Sequence, residues 1–215
     1  MAVDVKKGRW EYDVYLLLGS NLPLKKGFKV LKPKEILSSA IDRIKTVFLS
    51  DASVSDSLPL GSVTSSKSFC CTKVLKTKPL GMFNSSKVPD FYNQVVVFRT
   101  PFSPSKVLSA CQSIEKELGR KRSVKALKAG DDKKRERVYE SRSIDIDILK
   151  VYKVRRCANE KDVSSKEMRV RVAKTETLIP VIRTTPHLQL PHPQIETRPF
   201  VNKLLKEISL NPQND

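Results

Sequence analysis

An α+β sandwich is the architecture this sequence predicts, and three observations predict it. Strand-like and helix-like runs are interspersed without the regular strand–helix alternation that builds a doubly wound parallel sheet. One run, within residues 142–149, alternates strictly between apolar and polar, as a strand buried on only one face does. The chain has 215 residues, 39% of them hydrophobic and 30% charged, which suits a globular protein able to bury a proper core.

The elements follow in chain order. Tyr12 to Leu18 is an apolar run ending in Gly19-Ser20-Asn21, which reads as a buried strand feeding a turn. A Lys-rich linker leads to Pro33, which opens a helix whose Ile36, Leu37, Ala40, Ile41, Ile44, Val47 and Phe48 keep helical spacing. Residues 50–68 are Ser-rich and loop-like, and Phe69 to Leu75 reads as a second strand. A turn at Thr77-Lys78-Pro79-Leu80-Gly81 precedes a third strand, Tyr92 to Arg99. Ser103-Pro104 supplies an N-cap and a first-turn proline for a second helix, with Val107, Leu108, Cys111, Ile114 and Leu118 inward. A long, mostly basic loop spans 121–142, the alternating strand follows, and 151–174 reads as a charged insertion, with a hairpin expected through Arg169 to Ala173. A last helix is expected from about Arg198 to Ile208. The whole, 1–215, is expected to be a single domain with a short N-terminal arm at 1–11.

The formal net charge of +18 calls for a polyanionic partner, an anionic surface or a phosphate-rich substrate. Cys70, Cys71, Cys111 and Cys157 form no Cys-x-x-Cys unit, which argues against a disulfide framework or zinc centre. No apolar leader or membrane-length run is seen, so a cytoplasmic protein is expected.

Within Arg142-Ser143-Ile144-Asp145-Ile146-Asp147-Ile148-Leu149, the isoleucines share one face and Asp145 and Asp147 the other. Residues two apart on a strand lie roughly 6–7 Å from one another. Two carboxylates so placed can hold a pair of Mg²⁺ ions about 4 Å apart, with phosphates bridging them. An amphipathic strand with a polar outer face is the competing reading, and this segment alone does not separate the two.

Four further segments do. Leu18-Gly19-Ser20-Asn21, Pro89-Asp90-Phe91-Tyr92-Asn93, Ile114-Glu115 with Leu118-Gly119-Arg120, and Leu190-Pro191-His192-Pro193 with Arg198-Pro199-Phe200-Val201 accompany the aspartate strand in order. Together they resemble the 6-hydroxymethyl-7,8-dihydropterin pyrophosphokinase family. The resemblance implies a ferredoxin-like sandwich, a mainly antiparallel sheet flanked by helices. It also implies transfer of pyrophosphate from ATP to the pterin's 6-hydroxymethyl group, with release of AMP in folate biosynthesis. The substrate hydroxyl is then the nucleophile, and the protein's share is positioning and charge neutralisation.

By that resemblance, Asp145 and Asp147 are the ligands of two Mg²⁺ ions. Arg120 and Arg142 serve as catalytic arginines, and Gln112, Glu115, Arg122, His192 and Arg198 bind ATP. Phe91 and Phe200 sandwich the pterin, Asn93 reads its amide edge, and Gly19, Asn21, Thr77 and Leu80 line the same site. The partners implied are ATP and hydroxymethyl-dihydropterin, without membrane or nucleic acid, and the chain is expected to be a monomer. The chain departs from the family where Tyr139-Glu140-Ser141-Arg142 replaces a usual loop tryptophan, and Pro193 stands where some members carry an aromatic residue. Lys125, Lys128, Lys133, Lys134, Arg135 and Arg137 read as a solvated face.

A basic nucleic-acid-binding module is the alternative the charge suggests. The sheet lacks the aromatic pattern of RNA-recognition strands, and paired aspartates on the working strand would repel a phosphate backbone. A nucleotidyltransferase would bring its Gly-Ser turn and aspartates close in sequence, and no Walker sequence supports a P-loop kinase.

Overall fold

The computed structural model describes residues 10–49, 69–80, 88–120, 141–156 and 176–210. Arg122, Tyr139, the hairpin expected at 169–173 and most of the basic loop lie outside them. At the centre are three long antiparallel strands: β1 (Glu11–Ser20), β6 (Phe91–Thr100) and β7 (Asp145–Arg156). Short strands β4 (Phe69–Cys71) and β5 (Leu75–Thr77) pair with β6, and β8 (Glu176–Pro180) pairs with β7, giving the order β4-β6-β1-β7-β8. Every pairing is antiparallel. Helices pack on both faces, as expected for an α+β sandwich.

Alternation along the central strands decides which face each helix covers. Val14, Leu16 and Leu18 of β1, Val96 and Phe98 of β6, and Ile144, Ile146 and Ile148 in and beside β7 share one core. It is closed by α1 (Pro33–Leu49) and α2 (Pro104–Glu117). Phe48 of α1 stacks on Phe98 with ring centroids 4.8 Å apart. The opposite face carries Leu17, Val95 and Leu149 and is covered by Val201, Leu204, Leu205 and Ile208 of α4 (Pro199–Leu210). A β-bulge lies in β7: Tyr15 faces Lys150 while Leu16 faces Ile148, so Leu149 is the extra residue. The alternation therefore shifts by one, which returns Val151 to the first core.

Several elements depart from expectation. The Lys-rich linker is a hairpin, β2 (Leu24–Lys26) and β3 (Lys29–Leu31), whose turn uses Gly27 at φ 60. Two three-residue strands are too short for the alternation signal to register. The run from Phe69 to Leu75 is not continuous: it breaks at buried Thr72, whose hydroxyl accepts from the Val95 amide at 3.0 Å. The stretch expected as an insertion from Val151 is strand as far as Arg156, because β8 supplies a partner. Ser103 stands at the N-cap of α2 but its side chain makes no cap bond. On α1 the reach-back partner is Glu35, which accepts from the Lys32 amide at 2.6 Å, half of a capping box. Beyond β8, β9 (Arg183–Thr185) and β10 (Leu188–Leu190) form a small hairpin leading into α3 (Gln194–Thr197). Among the described residues no helix is long and apolar enough to cross a membrane.

A candidate active-site cleft on the second face of the sheet

The parity that buries Leu17, Val95 and Leu149 under α4 brings Gly19, Phe91, Asn93, Asp145 and Asp147 to the same side, beyond the end of that helix. There the sheet face opens into a cleft of about 500 Å³, solvent at its mouth included, whose wall contains these five residues. Thr77, Lys78, Leu80, Arg142, Arg198 and Phe200 line it as well. Thus ten of the residues expected at the site line one cleft: Gly19, Thr77, Leu80, Phe91, Asn93, Arg142, Asp145, Asp147, Arg198 and Phe200.

One end of the cleft is apolar and hydrogen-bonding. Phe91 begins β6, Phe200 is the second residue of α4, and Asn93 lies two residues beyond Phe91 on the same strand face. The Asn93 amide nitrogen donates to Thr77 Oγ1 at 2.9 Å, which orients the amide. Its Oδ1 then lies toward Gly19, where a Cβ would meet it at 3.2 Å. Glycine at 19 is thus what leaves room for the oriented amide.

The other end is ionic. Asp145 receives a short ion pair from Arg120 on Oδ1 and another from Arg142 on Oδ2 at 2.5 Å. Arg120 also bonds Glu115, whose Oε1 in turn accepts from the Ile146 amide at 2.8 Å. Glu115 is only 2% exposed. It tethers α2 to the start of β7 and aims Arg120 at the first aspartate. Gln112 is exposed on the same helix, so the two do not share one environment despite being one turn apart.

Asn21 is buried and stands behind the cleft. Its Oδ1 accepts from the Arg142 amide at 2.8 Å, its own amide donates to the Arg142 carbonyl at 3.2 Å, and its side-chain nitrogen donates to Ser141 Oγ at 3.0 Å. Asn21 therefore fixes the backbone that presents Arg142. Ser20 bonds the Ser143 carbonyl, and Ser143 donates to the Leu118 carbonyl at 2.8 Å, tying the same strand entry to α2.

Asp147 sits deeper. Burial pushes its carboxyl up to about 7, Asp145 adds to the rise, and the Gln194 hydrogen bond with Arg142 and Arg120 opposes it. Gln194 Nε2 donates to Asp147 Oδ2 at 3.0 Å. His192, anchored by its amide to the Leu149 carbonyl at 2.7 Å, accepts from the Gln194 amide on Nδ1 at 3.1 Å. Burial, then Arg198, holds the imidazole below its ordinary pKa against an opposing pull from Asp145. Its proton is therefore on Nε2, with Nδ1 an acceptor.

Gln194, Lys78 and Leu17 were not anticipated from the sequence. Gln194 belongs to a single-turn helix and no local pattern marks it. Lys78, on the cleft edge, pairs with Asp90 at 3.1 Å in an exposed contact.

Both carboxylates face the cleft, and the donor set is hard oxygen, as divalent magnesium prefers. The pair on one strand face and the elevated Asp147 carboxyl fit a bound cation, which would relieve their mutual repulsion. Among the described residues no group of three or more His, Cys, Asp or Glu side chains is placed to hold a metal ion by itself. The two aspartates are thus a partial ligand set of the kind phosphate oxygens complete.

The family model described as 7,8-dihydro-6-hydroxymethylpterin-pyrophosphokinase matches residues 15–210. Two relatives, from two strains of Porphyromonas gingivalis, are each 29% identical over 202 residues, covering 93% of this chain and 94% of their own length. Each bears the name 2-amino-4-hydroxy-6-hydroxymethyldihydropteridine pyrophosphokinase.

Proposed function

The chain belongs to the 7,8-dihydro-6-hydroxymethylpterin-pyrophosphokinase family, and on that premise we propose how its cleft performs the reaction. The protein is an ATP-dependent pyrophosphokinase of folate biosynthesis, a transferase that moves pyrophosphate from ATP to the 6-hydroxymethyl group of the dihydropterin and releases AMP. Nothing in the fold or the comparisons favours the nucleic-acid-binding alternative. One observation carries the assignment of parts: the aspartate pair and the two phenylalanines share a single cleft.

Phe91 and Phe200 hold the flat pterin ring between them, with offset stacking supplying affinity and orientation without charge. Asn93 presents its Oδ1 and remaining N–H to the ring's amide edge, held there by Thr77. The hydroxymethyl group is thereby directed toward the ionic end of the cleft. Orientation of this kind replaces covalent chemistry, since the substrate's own hydroxyl attacks the β-phosphorus.

Arg120, Arg142 and Arg198 bind phosphate oxygens. Guanidinium groups stay charged at any working pH and form bidentate contacts to phosphate as they do to carboxylate. The two that now balance Asp145 find equivalent partners in ATP, leaving the carboxylate open. Asp145 and Asp147 would hold Mg²⁺, which supplies charge neutralisation on the triphosphate when bound. His192 keeps its proton on Nε2 and donates it as a hydrogen bond to phosphate. Glu115 and Asn21 act one layer back, the first aiming Arg120 and the second fixing the Arg142 backbone. Gln112 and Arg122 are proposed to contact ATP. A monomer working in the cytoplasm is part of the same reading.

The test is to incubate the protein with ATP, Mg²⁺ and hydroxymethyl-dihydropterin and to separate AMP by chromatography. AMP should appear only with the pterin present. Asp145→Ala and Asp147→Ala should each abolish it while circular dichroism stays native. Full turnover in both variants would remove the assignment of the cation site.

A further inference from the structure

Gln194 bonds three neighbours within the protein, its main-chain carbonyl accepting from the Arg198 amide at 3.0 Å, and leaves one side-chain oxygen over. Its main-chain amide donates to His192 Nδ1 at 3.1 Å, and its Nε2 donates to Asp147 Oδ2 at 3.0 Å. Its Oε1 is buried and has no hydrogen-bond partner among the described residues. The orientation of the amide follows from charge, because turning it over would set the carbonyl oxygen against a carboxylate. Buried acceptors are almost always satisfied, so an orphan beside a paired aspartate calls for an occupant. A hydrophobic occupant would leave the oxygen desolvated, and an anion would be repelled by it and by Asp147. A hard divalent cation takes carboxylate and neutral amide oxygens together.

We propose that Gln194 completes the divalent-cation site of the cleft, holding Asp147 through Nε2 and supplying Oε1 as a further neutral oxygen. This rests on the aspartate pair being that site. The residue does two jobs that a purely structural amide would not. It keeps Asp147 turned toward the cleft, and it adds a donor without adding charge to a pair that already repels itself. Losing a partner of this kind weakens metal sites by about 10–100-fold.

The experiment uses the full chain and measures Mn²⁺ binding by electron paramagnetic resonance, with and without a non-hydrolysable ATP analogue. Gln194→Leu, which removes the Nε2 bond to Asp147 and the Oε1 donor, should raise the Mn²⁺ midpoint in the ternary complex about 10-fold or more. Gln194→Glu keeps an oxygen donor and loses the N–H, and should bring the midpoint back to within about threefold of the unsubstituted protein. Melts in EDTA check that both variants fold; if the leucine variant does not, the glutamate variant and Gln194→Met decide. The inference is overturned if removing the amide leaves the midpoint unchanged, or if the glutamate variant loses as much as the leucine one, which would mark a purely structural bond. Absence of analogue-dependent Mn²⁺ binding in the unsubstituted protein would instead overturn the aspartate site itself, and this inference with it.

Discussion

Replacing Asp147 with Asn should inactivate the enzyme and yet stabilise its metal-free fold. The substitution keeps the shape of the side chain and removes its charge. Asp147 has a folded pKa near 7 against an ordinary value of 3.8, chiefly because burial and then Asp145 oppose ionisation. A group whose folded pKa lies above its unfolded one contributes its full stability below pH 4, and that contribution is lost as pH rises through about 7. Each unit is worth about 1.4 kcal/mol, so a rise of about three units sets a ceiling near 4 kcal/mol at pH 8. Asp147 lines a cleft that water enters, which lowers the figure, and about 2 kcal/mol is the expected gain. For a chain of this size that corresponds to roughly 4–8 °C in Tm. Thermal melts in EDTA at pH 4.5, 6 and 8 should show the variant nearest to the unsubstituted protein at the lowest pH and ahead by a growing margin above it. Mg²⁺ with an ATP analogue should then raise the Tm of the unsubstituted protein and leave the variant where it was. A variant no more stable than its parent at pH 8 in EDTA would refute the argument that desolvation and Asp145 burden this carboxylate.

Other outcomes follow from the same geometry. Phe91→Ala should raise KM for the pterin by about 10–100-fold, the cost of one aromatic face at about 1.5–3 kcal/mol, with KM for ATP little changed in steady-state kinetics. Gly19→Ala sets a methyl against Asn93 Oδ1 and should weaken pterin binding about 10-fold in calorimetry, while the melting curve shifts little. Gly119→Ala is strained by its φ of +77 and by Leu24, whose side chain occupies the space of the new Cβ, and should cost about 1–3 kcal/mol in urea unfolding. Leu24→Ala in that background should recover part of the loss, and no recovery would show that the backbone angle alone is responsible.

The alternating strand shows how far a local pattern reaches. Ile144, Ile146 and Ile148 were assigned to the core and the aspartates to the other face, and period-two geometry alone suffices for that. The bulge at Leu149 was invisible, because it arises from pairing with β1 rather than from anything in the residues of β7. Phe91 and Phe200 illustrate the same division. Each looks like an ordinary core residue in its own segment, and only the packing of α4 across the sheet brings them to one cleft.

From its own residues the chain determined the long strands, the two large helices, the aspartate pair and the family motifs, since periodicity, proline and local polarity act within a few residues. Its tertiary structure alone decided that Glu115 and Asn21 stand behind the arginines, that Gln194 meets Asp147, and that the charged stretch after Val151 continues a strand. The partners can lie far off in the chain, 47 positions for Gln194 on Asp147 and 121 for the Arg142 amide on Asn21. Chain folding brings such groups together, and no local spacing encodes which of them will meet.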